Sequence, residues 1–252
     1  MIFNRYALYY DAIYRRKDYK KECAYLEQLF RRYARGKVKT VLDLGCGTAS
    51  HMIPFIKKGY AVTGVDSSAP MLNIASQKLR ALNLTAQLHR NQLKAFRLNR
   101  KFDAALCLFS VMDYITQERD IIPTLKNIAG HLKRGALFIF DFWNESAVNS
   151  HFSPKKANYY KENGNVLERR SATKIFPLKR LSEVRYTCTL SDQGRVISRD
   201  RETHTLRYFA VDEMRAYLDK AGLEVIDAHP FLHSGGRIRK NTWDVTVVAR
   251  KR

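Results

Sequence analysis

Hydrophobic positions along this chain follow two rhythms, and the change comes near residue 150. Before it, strands and helices alternate. Tyr19, Cys23, Leu26, Phe30 and Tyr33 recur at spacings of four and three, which predicts one buried helix face. Lys37 to Leu44 reads as a strand running into Gly45-Cys46-Gly47, a helix follows to about Lys58, and Tyr60 to Asp66 is a second strand. Ser67-Ser68-Ala69-Pro70 opens another helix, with serines to cap it and proline in its first turn. Leu88 marks a third strand. Phe102 to Phe109 is a continuous apolar run, as in strands buried on both faces. Ile121, Leu125, Ile128 and Leu132 predict a helix closed by Gly135, and Ala136 to Phe142 a fifth strand.

After residue 150 the period becomes two. Val184, Tyr186, Cys188 and Leu190 alternate with polar neighbours, Asp192-Gln193-Gly194 reads as a turn, and Arg195 to Phe209 as the returning strand. The chain then resumes a helix (Val211 to Ala221) and two strands (Leu223 to Ala228, Trp243 to Ala249). Alternating strands and helices imply an α/β fold. Its expected form is a mostly parallel seven-stranded sheet with helices on both faces, plus an antiparallel β insert after the fifth strand. The expected division of the single domain 1–252 is an N-terminal lid over 1–36, a core over 37–150, the insert over 151–209, and a closing helix and strands over 210–252. The insert is expected to lean over the active-site end of the sheet.

Composition adds little to this picture except charge. The four cysteines Cys23, Cys46, Cys107 and Cys188 are scattered, which argues against a disulfide framework or a zinc site. The N-terminus lacks a signal-peptide layout, and the longest apolar run, Ala136 to Phe140, is too short to cross a bilayer. A cytoplasmic protein without membrane contact is expected, and its oligomeric state is left open. The net charge, however, is +21. Residues 1–40 carry 11 Lys/Arg against 4 Asp/Glu, residues 41–150 carry 13 against 8, and residues 151–252 carry 21 against 12. Such a field attracts phosphate-bearing partners, either small molecules or nucleic acid, although a generally basic surface is the other reading.

The sharpest local signal is Val41-Leu42-Asp43-Leu44-Gly45-Cys46-Gly47-Thr48-Ala49-Ser50. A glycine turn between a first strand and a helix lets a ligand approach the backbone. Gly45-x-Gly47-x-x-Ser50 almost fits a dinucleotide fingerprint, but Ser50 stands where glycine or alanine is wanted. Asp43 would also repel a pyrophosphate, whereas it suits a cationic group. Asp66, ending the second strand, is placed to accept from both hydroxyls of a ribose.

These residues resemble the class I S-adenosylmethionine-dependent methyltransferases, which have a Rossmann-like fold. The resemblance implies that Gly45, Cys46 and Gly47 hold the methionyl part, with Asp43 near its ammonium end. It makes Asp66 the ribose clamp and Met71 an adenine wall. The third-strand position departs from the usual Gly-Asp and reads Asn91-Gln92, where the Gln92 carbonyl still offers an acceptor to the adenine amine. Ser67, Leu93 and Phe109 complete the implied cofactor set.

A narrower resemblance covers most of the chain. Tyr10-Asp11-Ala12-Ile13-Tyr14 with Lys17-Asp18-Tyr19, Phe109-Ser110-Val111-Met112-Asp113-Tyr114, Asp141-Phe142-Trp143 and Thr203-His204-Thr205-Leu206-Arg207 are similar to the aminosugar N,N-dimethyltransferases that act on nucleotide-linked sugars. It implies Tyr14, Tyr114 and His204 as the catalytic set, and Tyr10, Lys17 and Arg207 as acceptor-binding, the last two toward phosphate. The expected function is methyl transfer to the amine of such a sugar or a similar small amine. The basic charge keeps an RNA methyltransferase as the alternative. Against it stand the missing Asn/Asp-Pro-Pro-aromatic segment after the fourth strand and the absence of an appended RNA-binding module. A non-catalytic S-adenosylmethionine-binding protein is the third reading.

Overall fold

Two helices, α1 (Ala7–Tyr14) and α2 (Tyr19–Tyr33), lead into a sheet whose strands are β1 (Thr40–Leu44), β2 (Ala61–Asp66), β3 (Gln87–Arg90), β4 (Phe102–Cys107), β5 (Leu132–Trp143), β10 (Leu223–Pro230) and β11 (Asp244–Lys251). The computed structural model describes residues 3–162 and 164–252; Met1 and Ile2 of the expected lid, and one residue of the expected insert, lie outside the described residues. The spatial order is β10-β11-β5-β4-β1-β2-β3, with only β11 running against its neighbours. The pleat sorts the core. Val41 of β1 and Leu137 and Ile139 of β5 pack with α2, α3 (Met52–Lys57) and α4 (Ala69–Ala81). Leu42, Leu44, Phe138 and Phe140 face the other way, onto α5 (Glu118–Gly130) and α7 (Val211–Lys220). Helices therefore cover both faces.

Because β1 is flanked by β4 on one side and β2 on the other, the chain reverses its direction of winding there, and a crevice opens at the carboxyl ends of these strands. The Gly45–Gly47 turn sits at that crevice. Ser68 caps α4, accepting from the Met71 N–H at 3.3 Å, with Pro70 in the first turn.

Several boundaries differ from the sequence expectation. Strand β1 begins at Thr40, not Lys37. The α5 helix ends at Gly130, and Leu132 already opens β5. Leu132 is buried in the same cluster as Ile121, Leu125 and Ile128, so the helical period runs on across the junction. Gly135, expected to close the helix, instead lies within β5 at φ +79°, near a register shift against β4.

The insert is larger than its alternating part suggests. Short helix α6 (Glu145–His151) precedes it, and β6 (Lys155–Glu162), β7 (Asn165–Phe176), β8 (Leu181–Asp192) and β9 (Arg195–Arg207) form an antiparallel meander. Gln193 (φ 45°) and Gly194 (φ 84°) both lie in the left-handed region, as a two-residue hairpin requires. The first of these strands, β6, escapes sequence reading because Lys-Lys-Ala-Asn-Tyr-Tyr has no apolar side to its alternation. No helix among the described residues is long and apolar enough to cross a membrane.

Candidate active site

The site begins with the glycine turn. The N–H groups of Gly45 and Cys46 both donate to the Val65 carbonyl, at 2.7 and 3.2 Å, which folds the turn back over β2. Gly45 has φ +72°, and a Cβ there would lie 2.6 Å from both methyl carbons of Val111. Only glycine closes this turn. Asp66 accepts from the Gly47 N–H at 2.9 Å through Oδ2 and from the Ser68 N–H at 2.8 Å through Oδ1. Burial raises its pKa, while these amides oppose the rise. Each oxygen keeps a lone pair for a further donor.

A cavity of about 1050 Å³ opens from this turn to the insert. Its walls carry nine of the ten residues expected to bind cofactor: Gly45, Cys46, Gly47, Asp66, Ser67, Met71, Gln92, Leu93 and Phe109. They also carry Tyr10, Tyr14, Tyr114 and His204. The open space at Gly47, where a Cβ would meet only the Gly45 carbonyl at 4.0 Å, lies beside a carboxylate with spare acceptor capacity and fits the methionyl and ribose parts of S-adenosylmethionine.

Three expected residues lie elsewhere. Asp43 shares the pleat face of Val41 and is buried off the cavity wall, within reach of the charges of His51 and Asp66. Burial pushes its carboxyl up to about 6. Lys17 is behind the wall. Its ammonium is ion-paired with Glu22 and lies 4.6 Å from the Phe109 ring centre. Arg207 is buried and reaches Glu213 at 3.3 Å and Glu118 at 3.5 Å, which directs it toward α7 and α5 and away from the cavity. Neither cation is on the cavity wall: both side chains are turned into the fold, Lys17 onto Glu22 and Arg207 onto Glu213.

Where the insert meets the cavity, the Tyr114 hydroxyl is 2.7 Å from His204 Nδ1, and His204 Nε2 is 2.8 Å from Glu202 Oε1. Glu202 also accepts from the backbone N–H groups of Phe3, Asn4 and Tyr6, so one carboxylate fastens the N-terminal segment and orients the histidine. Burial alone would raise its pKa, but His204 and the Phe3 and Tyr6 amides hold it below the ordinary value. An ionised Glu202 only accepts, so Nε2 donates to it, and Nδ1 of a neutral ring accepts from Tyr114. The rings of Phe3, Tyr186 and Tyr6 enclose His204 at centroid distances of 4.7, 5.0 and 5.6 Å. Sequence reading missed Glu202. Its position two residues before His204 in an alternating strand, on the same face, was the available signal.

The wall at Phe109 is held by a buried carboxylate. Phe109 and Ser110 are consecutive left-handed residues, at φ 66° and 58°. Asp141 accepts both of their N–H groups, at 2.6 and 3.0 Å, and so pins the sequence expected to continue β4 into a bend. Burial pushes the Asp141 pKa up to about 7, Asp244 adds to the rise, and Lys17 and the two amides oppose it. The native acid therefore keeps a proton that the unfolded chain loses near pH 4. Its contribution makes stability fall as pH rises from about 4 to about 7 and stay level above. His229, whose pKa is lowered by burial, acts with the opposite sign. Thermal unfolding across pH 5–8 should show a flatter acid-to-neutral decline in Asp141→Asn than in the parent chain. An unchanged slope would mean that Asp141 does not titrate in this interval.

Comparison with known proteins agrees with this geometry. Residues 41–135 match the family described as a methyltransferase domain. The chain is 28% identical over 221 residues to dTDP-3-amino-3,6-dideoxy-alpha-D-glucopyranose N,N-dimethyltransferase of Streptomyces fradiae, covering 86% of this chain and 82% of that one. It is 28% identical over 220 residues to dTDP-3-amino-3,4,6-trideoxy-alpha-D-glucopyranose N,N-dimethyltransferase of Streptomyces venezuelae, covering 86% and 89%. The crystal structure of an S-adenosylmethionine-dependent methyltransferase from Clostridium acetobutylicum superposes with a TM-score of 0.85 at 23% identity, covering 100% of this chain and 99% of the other.

Proposed function

From the premise that residues 41–135 belong to the methyltransferase domain family and that the chain uses S-adenosylmethionine, we propose that it methylates the amine of a small, nucleotide-linked aminosugar. The observation that carries this reading is the Tyr114–His204–Glu202 chain, whose tyrosine and histidine lie on the cavity wall with the glycine turn. The relatives named above act on such sugars, which supports the substrate class.

S-adenosylmethionine supplies, when bound, an electrophilic methyl group on a sulfonium that departs as a neutral thioether. What this chain must add is position and a proton route. Gly45 and Gly47 would let the backbone come close, Asp66 would accept from the ribose hydroxyls, and Met71, Gln92 and Leu93 would bound the adenine. Tyr10, Tyr14 and Phe109 form a contiguous aromatic side of the cavity.

The acceptor amine needs a free lone pair. The Tyr114 oxygen takes a proton from the amine while the Tyr114 hydroxyl proton passes to His204 Nδ1. Glu202, beside Nε2, stabilises the imidazolium so formed. Burial raises the Tyr114 pKa well above its ordinary value, so the hydroxyl hands on a proton and does not rest as a phenolate. Arg90 and Lys94 are exposed cations on the cavity wall beside Gln92 and Leu93, and Lys94 pairs with Asp120 at 3.1 Å.

The reading is tested by mass spectrometry of thymidine-diphosphate sugars bearing either an amine or a hydroxyl at the same carbon. The amine should gain methyl groups and the hydroxyl analogue none. Transfer to the hydroxyl alone, or to no member of the panel, would overturn the amine assignment.

A further inference from the structure

The four-stranded meander has two faces with different chemistry. Its inner face carries Tyr186, Glu202 and His204 toward the cavity. The outer face carries an arrangement that the methyl-transfer site does not use.

In one cross-strand row Ala157, Arg170, Thr187 and Arg201 stand side by side. In the next row on the same face, two residues along, stand Lys155, Ala172, Arg185 and Thr203. Cations and small residues thus alternate in both directions. Lys155, Arg170, Arg185 and Arg201 form a zigzag with one cation on each strand, and each step is a diagonal cross-strand neighbour, about 7–8 Å at Cβ. Ala157, Ala172, Thr187 and Thr203 leave a depression of about 660 Å³ between them. All four cations are exposed. Arg170 and Arg185 pair only with carboxylates of their own strands, Glu168 at 2.9 Å and Glu183 at 3.0 Å, and Lys155 and Arg201 have no carboxylate partner among the described residues.

We infer that this outer face binds single-stranded nucleic acid through its phosphodiester backbone, without regard to base sequence. Charge complementarity selects the partner. A line of four cations at regular steps matches a line of phosphates, whereas a single nucleotide would leave most of them unused. The two rows of alanine and threonine offer no apolar side chain to enter a lipid surface, while the exposed Tyr159, in the next row on this face, adds a single ring on which any base can stack. The contact is therefore chiefly with phosphates, and the chain's net charge of +21 adds long-range attraction. The face is turned away from the cavity, so binding there is compatible with a small acceptor inside it.

Four phosphate contacts on a single strand give a slope of log K against log salt of about −2.8, or about a fiftyfold loss of affinity between 50 and 200 mM salt. The test is fluorescence anisotropy with labelled oligouridylate and oligoadenylate of equal length. Both should bind alike with that slope. Lys155→Ser/Arg201→Ser should reduce the slope by about half, while Lys126→Ser/Lys220→Ser, of equal charge loss on α5 and α7, should leave it unchanged. S-adenosylmethionine affinity, the check on folding, should be the same in all three proteins. No binding at 50 mM salt, equal weakening in both double variants, or capture by anionic lipid vesicles without oligonucleotide binding would each overturn the inference.

Discussion

Replacing Tyr114 with phenylalanine is expected to lower turnover by about a hundredfold or more, the usual range for losing a positioned acid–base group. The phenyl ring keeps the packing around Phe3 and His204, so the change removes one oxygen and little else. It also leaves His204 Nδ1 without its hydrogen-bond partner, which should cost about 1–3 kcal/mol of stability. Affinity for S-adenosylmethionine should not move, because the Tyr114 hydroxyl is bonded to His204 and not to the glycine turn or Asp66. His204→Gln should lower turnover similarly. Glu202→Gln should act more through the histidine's orientation, and should also loosen the N-terminal segment tied to Glu202. Steady-state kinetics against pH distinguish proton transfer from packing. A lost step lowers kcat and changes the pH profile, whereas a packing defect raises KM and leaves the profile's shape intact. Turnover and profile both unchanged in Tyr114→Phe would place the proton route elsewhere.

The second large effect is expected at Asp66. Each charge-assisted hydrogen bond from a ribose hydroxyl to this carboxylate is worth about 1.5–3 kcal/mol, so losing one weakens binding by about tenfold to over a hundredfold. Asp66→Ala also frees the Gly47 and Ser68 N–H groups that the carboxylate now holds, and the turn should loosen with it. Asp66→Asn separates these effects, since its carbonyl can hold one amide while the charge is gone. Calorimetry with S-adenosylhomocysteine reads the affinity without a reaction. Parent-like affinity in the alanine variant would show that the ribose is not bound at Asp66.

The readable parts of this site are those made by neighbours in sequence. Gly45, Gly47 and Asp66 follow from a strand, a turn and the next strand, and a parallel sheet brings those strand ends together wherever that order occurs. Tyr114 and His204 were reached through the family resemblance. Their hydrogen bond joins positions 90 residues apart, and no local period encodes it. The same distance hid Glu202's second task, holding the backbone of Phe3, Asn4 and Tyr6. Lys17 and Arg207 show the opposite error. Both stand in segments that match the family, but a motif fixes a position along the chain and not the direction of a long, flexible side chain. Glu22 and Glu213 decided those directions.

What the sequence by itself determined is the class of sheet, the helices on both its faces, the glycine turn and the acid that follows it. These depend on the spacing of apolar residues and on backbone freedom at particular glycines, properties that each short segment carries with it. Tertiary structure alone decided the extent of the meander, the bend at Phe109–Ser110 under Asp141, and the seating of Asp43 beneath the wall. It also decided which cations turn into the fold and which line up on the outer face of the meander. Charge and hydrogen-bonding capacity can be counted along a chain, but whether a group is already satisfied depends on partners brought near only by folding.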